Sequence, residues 1–104
     1  MTALVCTEPG AFEYKEMVPP VLTPGHAIVQ IQRIGICGTD LHAFEGTQPF
    51  FSYPRVLGHE LAAELVDAGD AQGFDKGEAV TFIPFYNCGP SIACRAGKPN
   101  CCVE

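Results

Sequence analysis

Between residues 35 and 46 the chain reads GICGTDLHAFEG, which places Cys37, Thr39, Asp40 and His42 on one short stretch between glycines, directly after an apolar run. Further on, VLGHELA sets His59 and Glu60 among apolar residues. A thiolate and an imidazole are preferred zinc ligands, and a carboxylate can serve as a third. Three protein ligands with one open position is the usual form of a catalytic zinc site. Cys37 and His59 are too far apart in sequence for a zinc finger, so only a fold that joins two distant segments could pair them. Read alone, each also has an ordinary role: a satisfied core histidine, a buried thiol, and, for Glu60, an exposed strand residue.

The other cysteines gather near the end, where NCGPSIACRAGKPNCC carries Cys88, Cys94, Cys101 and Cys102. Six cysteines in 104 residues could form disulfides in a secreted scaffold. The start, MTALVCTEPG, has no basic segment followed by an apolar one, so a secretory leader is not expected. Reduced thiols and metal ligation in a cytoplasmic protein are the reading that follows. With 47% hydrophobic and 17% charged residues the chain should fold as one domain, 1–104. A net charge of −6 with six Lys plus Arg leaves no basic patch for nucleic acid. No apolar run reaches the length of a bilayer span, so a membrane partner is not expected either.

The elements that must position these residues are short. TALVC and FEYKEM read as two strands around a turn at TEPGA, and VPPVLTPG as a connector. HAIVQIQRIGI is the strongest strand, rich in β-branched residues and leading straight to Cys37. TDLHAFEG predicts one or two helical turns over 40–45, capped by Thr39 or Asp40 and stopped by Gly46. ELAAELVDAG is ambiguous between helix and strand. EAVTFIPF predicts a strand halted by Pro84, and one helical turn is expected at 91–96. Short strands between Gly/Pro turns suggest a barrel or sandwich. TQPFFSYP, 47–54, reads either as a pocket wall or as aromatic packing at the barrel end.

In order, GICGTDLH, PRVLGHE, GFDKGEAV and CGPSIACRAGKPNCC resemble the N-terminal half of the zinc-dependent medium-chain alcohol dehydrogenases, in particular the polyol, threonine and sugar-acid branch. The resemblance runs from about residue 20 to the end and implies a mostly β, GroES-like, partly open barrel with a Cys-rich lobe. It implies a catalytic zinc on Cys37 and His59, with Glu60 as an alternate ligand or a neighbour of the ligands. It further implies that Asp40 orients His59, Thr39 bonds the substrate oxygen and His42 passes the proton to solvent. The reaction implied is oxidation of a small-molecule alcohol or polyol, with hydride transfer to NAD or NADP. That nucleotide would be bound by a following Rossmann domain. The chain contains no G-x-G-x-x-G after a strand and no βαβ unit. A fragment of a two-domain, homo-oligomeric dehydrogenase is therefore expected, inactive by itself. A free-standing GroES-like zinc-binding module without enzyme activity is the alternative.

The family's second zinc lies in a loop of pattern C-G-x-C-x-x-C-x-x-G-x-x-N-x-C. Cys88, Cys94 and Cys102 occupy three of its cysteine positions, and Ser91 occupies the other. A serine hydroxyl stays protonated near neutral pH, where a bound thiol does not, and is a poor zinc ligand. Three readings stay open: zinc on three thiolates with water, Cys101 swinging in, or a metal-free lobe with Ser91 capping the turn. Lesser departures are Ala63 at a usual glycine and a DAQGFDKG loop one residue short. If metal rather than disulfide chemistry explains the cysteines, titration of denatured, unreduced protein gives six thiols per chain. A lower, even-paired count would support the disulfide scaffold instead.

Overall fold

The computed structural model describes residues 1–102. Thr2–Glu8 (β1) and Ala11–Glu16 (β2) form an antiparallel hairpin, with Thr2 opposite Glu16 and Glu8 opposite Ala11. Arg55–Val56 (β4) joins the other edge of β1, so the first sheet has the order β2-β1-β4. The second sheet has the order β3-β5-β6, built from Ile28–Gly35, Glu60–Asp67 and Ala79–Val80. The helix α1 spans Gly38–Glu45, α2 spans Ile92–Arg95, and a 3-10 turn covers Pro99–Cys101. The fold is therefore mostly strand with a few short helices, as expected, and its two sheets stay open.

Burial decides the ambiguous ELAAELVD segment. Ala63 and Leu65 are buried, while Ala62, Glu64 and Val66 are exposed. That alternation is the period of a strand, not of a helix. The expected strand over EAVTFIPF shrinks to Ala79–Val80, which pair only with Glu64 and Ala63. Beyond them the Thr81 hydroxyl, rather than a continued ladder, reaches the Leu61 carbonyl at 2.7 Å. Pro84 has no N–H to offer a neighbouring strand. The α1 cap also differs from expectation. Cys37, extended at φ −123°, is the N-cap in place of Thr39 or Asp40. Asp40 sits one turn inside, and its carboxylate reaches back to the Cys37 N–H at 3.0 Å. Gly46 ends the helix at φ 81°, as the sequence predicts.

The buried core is small: Val5, Cys6, Ala43, Ala63 and Leu65, with Cys6 wholly enclosed. Around it, α1 is tied to the first sheet. The Gly10 N–H donates to the Phe44 carbonyl at 2.7 Å, and the Phe12 and Phe44 rings stack at 4.9 Å. Of the 47–54 segment, the Tyr53 hydroxyl donates to the Ala43 carbonyl. Phe51 lies 3.8 Å beneath the Arg55 guanidinium, while Phe50 stands fully exposed. The aromatic segment thus divides, two rings packing and one pointing outward. The accessible surface is 7913 Å². A compact monomer of this mass exposes roughly 5,700 Å². The radius of gyration, 15.9 Å, likewise exceeds the ~13 Å of a compact chain this long. Ile34, Ile36, Leu41, Phe82, Ile83 and Tyr86 are among the apolar side chains left in contact with solvent. Among the described residues no helix is long and apolar enough to cross a membrane.

The loop after β5 is held by a backbone contact that tolerates only glycine. Gly69 has φ +59°, and a Cβ there would lie 2.5 Å from the His26 carbonyl oxygen. Gly69→Ala should lower stability by about 1–3 kcal/mol in urea unfolding. Gly73→Ala, also at positive φ but with nothing within 4 Å, should cost less. Equal costs would show that the carbonyl contact is not what the loop depends on.

Candidate metal centre

The β3–β5 ladder solves the sequence separation of Cys37 and His59. Its last pair sets Gly35 opposite Glu60. Cys37 follows the end of β3 by two residues and His59 immediately precedes β5, so both leave the same end of the ladder. The crossing there is close: a Cβ on Gly35 would meet the Glu60 carboxylate at 2.7 Å. The Cys37 Sγ and His59 Nε2 come to 3.2 Å of each other. On a tetrahedral zinc with ordinary Zn–S and Zn–N bonds, those two atoms would be roughly 3.6 Å apart. The donor pair thus fits a zinc ion with a shift of a few tenths of an ångström.

Asp40 completes the arrangement. Its Oδ1 lies 3.5 Å from the His59 Nδ1, and its Oδ2 accepts the Cys37 N–H. Cys37, Asp40 and His59 are all half-buried, with their potential ligand atoms within 4.8 Å of one another. A proton on Nδ1 directed at this carboxylate leaves the Nε2 lone pair facing the thiol, the tautomer that metal ligation needs. One carboxylate thereby fixes the helix start and the imidazole together.

The other residues singled out in the sequence fall around this cluster. Thr39 is half-buried on the first turn of α1. His42 is exposed one turn on, with its Nδ1 3.4 Å from the Thr47 hydroxyl and 3.8 Å from Glu45 Oε2. Glu60 is not gathered with Cys37, Asp40 and His59; its carboxylate lies over Gly35. A cleft of about 600 Å³ opens beside His59, bordered by Arg33, Glu60, Thr81, Phe82 and Pro84. Arg33 was not singled out in the sequence. The signal available was a lone charge, IVQIQRIG, inside a strand rich in β-branched residues.

The cysteine lobe forms a second cluster. Cys88, Cys94 and Cys102 bring their sulfurs within 4.8 Å of one another, and Cys88 and Cys102 are 3.5 Å apart. Ser91 is the N-cap of α2, as one sequence reading had it, its hydroxyl oxygen accepting the Cys94 N–H at 3.3 Å. The Cys88 N–H donates to Cys102 Sγ at 3.4 Å, and the Ser91 N–H donates to Cys88 Sγ at 3.3 Å. Cys101 is exposed and is not one of the three.

Comparison with known proteins agrees with these features. Residues 23–104 match the family described as Alcohol dehydrogenase GroES-like domain. The chain is 43% identical over 105 residues to L-galactonate-5-dehydrogenase of Escherichia coli K12, covering 100% of this chain and 31% of that protein. To L-threonine 3-dehydrogenase of Pyrococcus horikoshii it is 35% identical, over 98% of this chain and 31% of the relative. An alcohol dehydrogenase of Escherichia coli CFT073, solved with its cofactor NADH, superposes with a TM-score of 0.84 at 32% identity, over 100% of this chain and 30% of that one. The chain thus spans about a third of the length of the relatives it matches. With its open strand architecture, its ladder-end Cys–His pair and a match over most of its length, the chain belongs to the alcohol dehydrogenase GroES-like domain family.

Proposed function

We propose that this chain is the metal-binding part of a zinc-dependent, NAD(P)-linked dehydrogenase that oxidises a secondary alcohol of the polyol or sugar-acid class. The observation that carries the reading is the facing pair of Cys37 Sγ and His59 Nε2 at 3.2 Å, with Asp40 behind the imidazole. The substrate class rests on the relatives, an L-galactonate dehydrogenase foremost. The chain contains no glycine-rich dinucleotide motif, so the nicotinamide is assigned to a Rossmann domain elsewhere in the same enzyme.

In this reading Cys37 and His59 hold the zinc, and a further ligand comes from outside this chain. The chemistry such an ion supplies is Lewis acidity towards a hydroxyl oxygen, which eases loss of its proton near neutral pH. The protein's own work is positional and protonic. Asp40 holds the imidazole in the ligating tautomer. Thr39, on the first turn of α1, would bond the substrate hydroxyl and accept its proton while giving up its own hydroxyl proton towards solvent. His42, one turn on and open to water, releases that proton to solvent. Hydride leaves in the other direction, from the substrate carbon to the nicotinamide. Glu60, whose carboxylate lies against Gly35 and outside the Cys37, Asp40 and His59 group, would act as a neighbouring negative charge.

Two substitutions test this. Cys37→Ala in the full enzyme should abolish polyol oxidation and remove one zinc per chain while the far-UV circular dichroism is unchanged. Retention of that zinc would overturn the assignment of Cys37, and loss of the fold would make it a structural residue. Asp40→Ala should weaken zinc binding at this site by roughly 10–100-fold, read by competition with a chelator. It should also lower stability by about 0.5–2 kcal/mol through the lost bond to the helix start. A drop in stability with unaltered zinc affinity would reduce Asp40 to a capping residue.

A further inference from the structure

A closed four-thiolate zinc centre does not fit the cysteine lobe. Its fourth ligand position holds Ser91, and that hydroxyl is already committed. Its oxygen accepts the Cys94 N–H at 3.3 Å, and its hydrogen is directed at Cys102 Sγ at 3.7 Å. A neutral hydroxyl is a weak ligand for zinc beside thiolates. Cys101 does not take its place, since it is exposed and lies outside the sulfur cluster. The three remaining sulfurs nevertheless converge. Two sulfurs on a tetrahedral zinc would be roughly 3.8 Å apart. Cys88 and Cys102 are 3.5 Å apart, and all three sulfurs lie within 4.8 Å. Backbone and side-chain donors already aim at them: Ser91 N–H at Cys88, Cys88 N–H at Cys102 and Asn87 Nδ2 at Cys94. Cys88 itself is exposed, so one side of the cluster faces solvent.

We propose that the lobe is an open three-thiolate site for one thiophilic divalent ion, held by Cys88, Cys94 and Cys102, with an exchangeable small ligand from solvent in the fourth position. Three protein ligands and one replaceable ligand is the pattern of a catalytic zinc rather than of a structural one. Ser91 keeps the geometry without ligating: it caps α2 and holds Cys94 and Cys102 towards each other. The consequence is an ion that exchanges and answers to added thiols, where a closed site would not. This inference is independent of the assignment at Cys37 and His59, and either can fail alone.

The test uses Co²⁺ as the probe in the full polypeptide, with Cys37→Ala present to silence the other thiolate site. The expected thiolate-to-cobalt absorption corresponds to three sulfurs and rises by about a third when 2-mercaptoethanol supplies a fourth. Ser91→Cys in the same background should show the four-sulfur intensity at once and no response to the thiol. Cys101→Ser should leave the spectrum unchanged. Two results overturn the proposal. One is cobalt binding to the lobe only after Ser91→Cys, which would make the natural lobe metal-free. The other is a four-sulfur spectrum that falls to three with Cys101→Ser. Should the Cys37→Ala protein not fold, the same comparison in the otherwise unaltered polypeptide still decides. There Ser91→Cys adds one sulfur to the total and removes that site's response to thiol, or it does neither and the proposal falls.

Discussion

The β3–β5 ladder is the constraint on which the rest of the molecule depends. Its hydrogen bonds run from Ile28 opposite Asp67 to Gly35 opposite Glu60. A one-residue slip would turn every side chain of one strand to the opposite face. It would also move His59 by a full residue along the strand, about 3.3 Å, against a fixed Cys37. Burial of Ala63 and Leu65 on one face of β5 holds the register in place. The approach of Cys37 to His59 is therefore an outcome of strand alignment at the end of this ladder.

Asp40 carries a second economy. A helix start needs an acceptor for its free N–H groups, and a ligating histidine needs an acceptor for its distal proton. Here one carboxylate serves both, through Oδ2 at Cys37 and Oδ1 at His59. The helix start and the imidazole thus share one neighbouring carboxylate, bonded to the first and 3.5 Å from the second. In the lobe Ser91 has a comparable double use, accepting from Cys94 and donating to Cys102.

Much of this was legible in the residues. The β-branched run in HAIVQIQRIGI, the turn at Pro9–Gly10 and the stop at Gly46 each have a local physical cause, and the strand, the turn and the helix end appear where that cause acts. The approach of Cys37 to His59 was legible only through the order of motifs, because composition holds no signal for long-range pairing. The points left open or missed have causes of their own kind. ELAAELVD has good helix formers, and cross-strand burial outweighed that preference. EAVTFIPF has strand-forming residues but only two partners on β5, so pairing stopped after Val80. The two-residue β4 lacks any pattern a sequence could display. The cap moved to Cys37 because Asp40 bonds backward, a choice fixed by three-dimensional geometry and not by residue type.

The thin core has a consequence for how this chain tolerates change. Of the five buried apolar residues among those described, two are alanines and one is a cysteine. Truncating a side chain therefore removes little packing at most positions, since few large side chains are enclosed to begin with. The order of the chain resides instead in main-chain geometry: ladder bonds, capped turns and glycines held where a methyl group would strike a carbonyl or a carboxylate. Within the described residues, substitutions that alter the path of the backbone should therefore cost more than those that trim an enclosed side chain. That is the reverse of a domain built around a large hydrophobic centre.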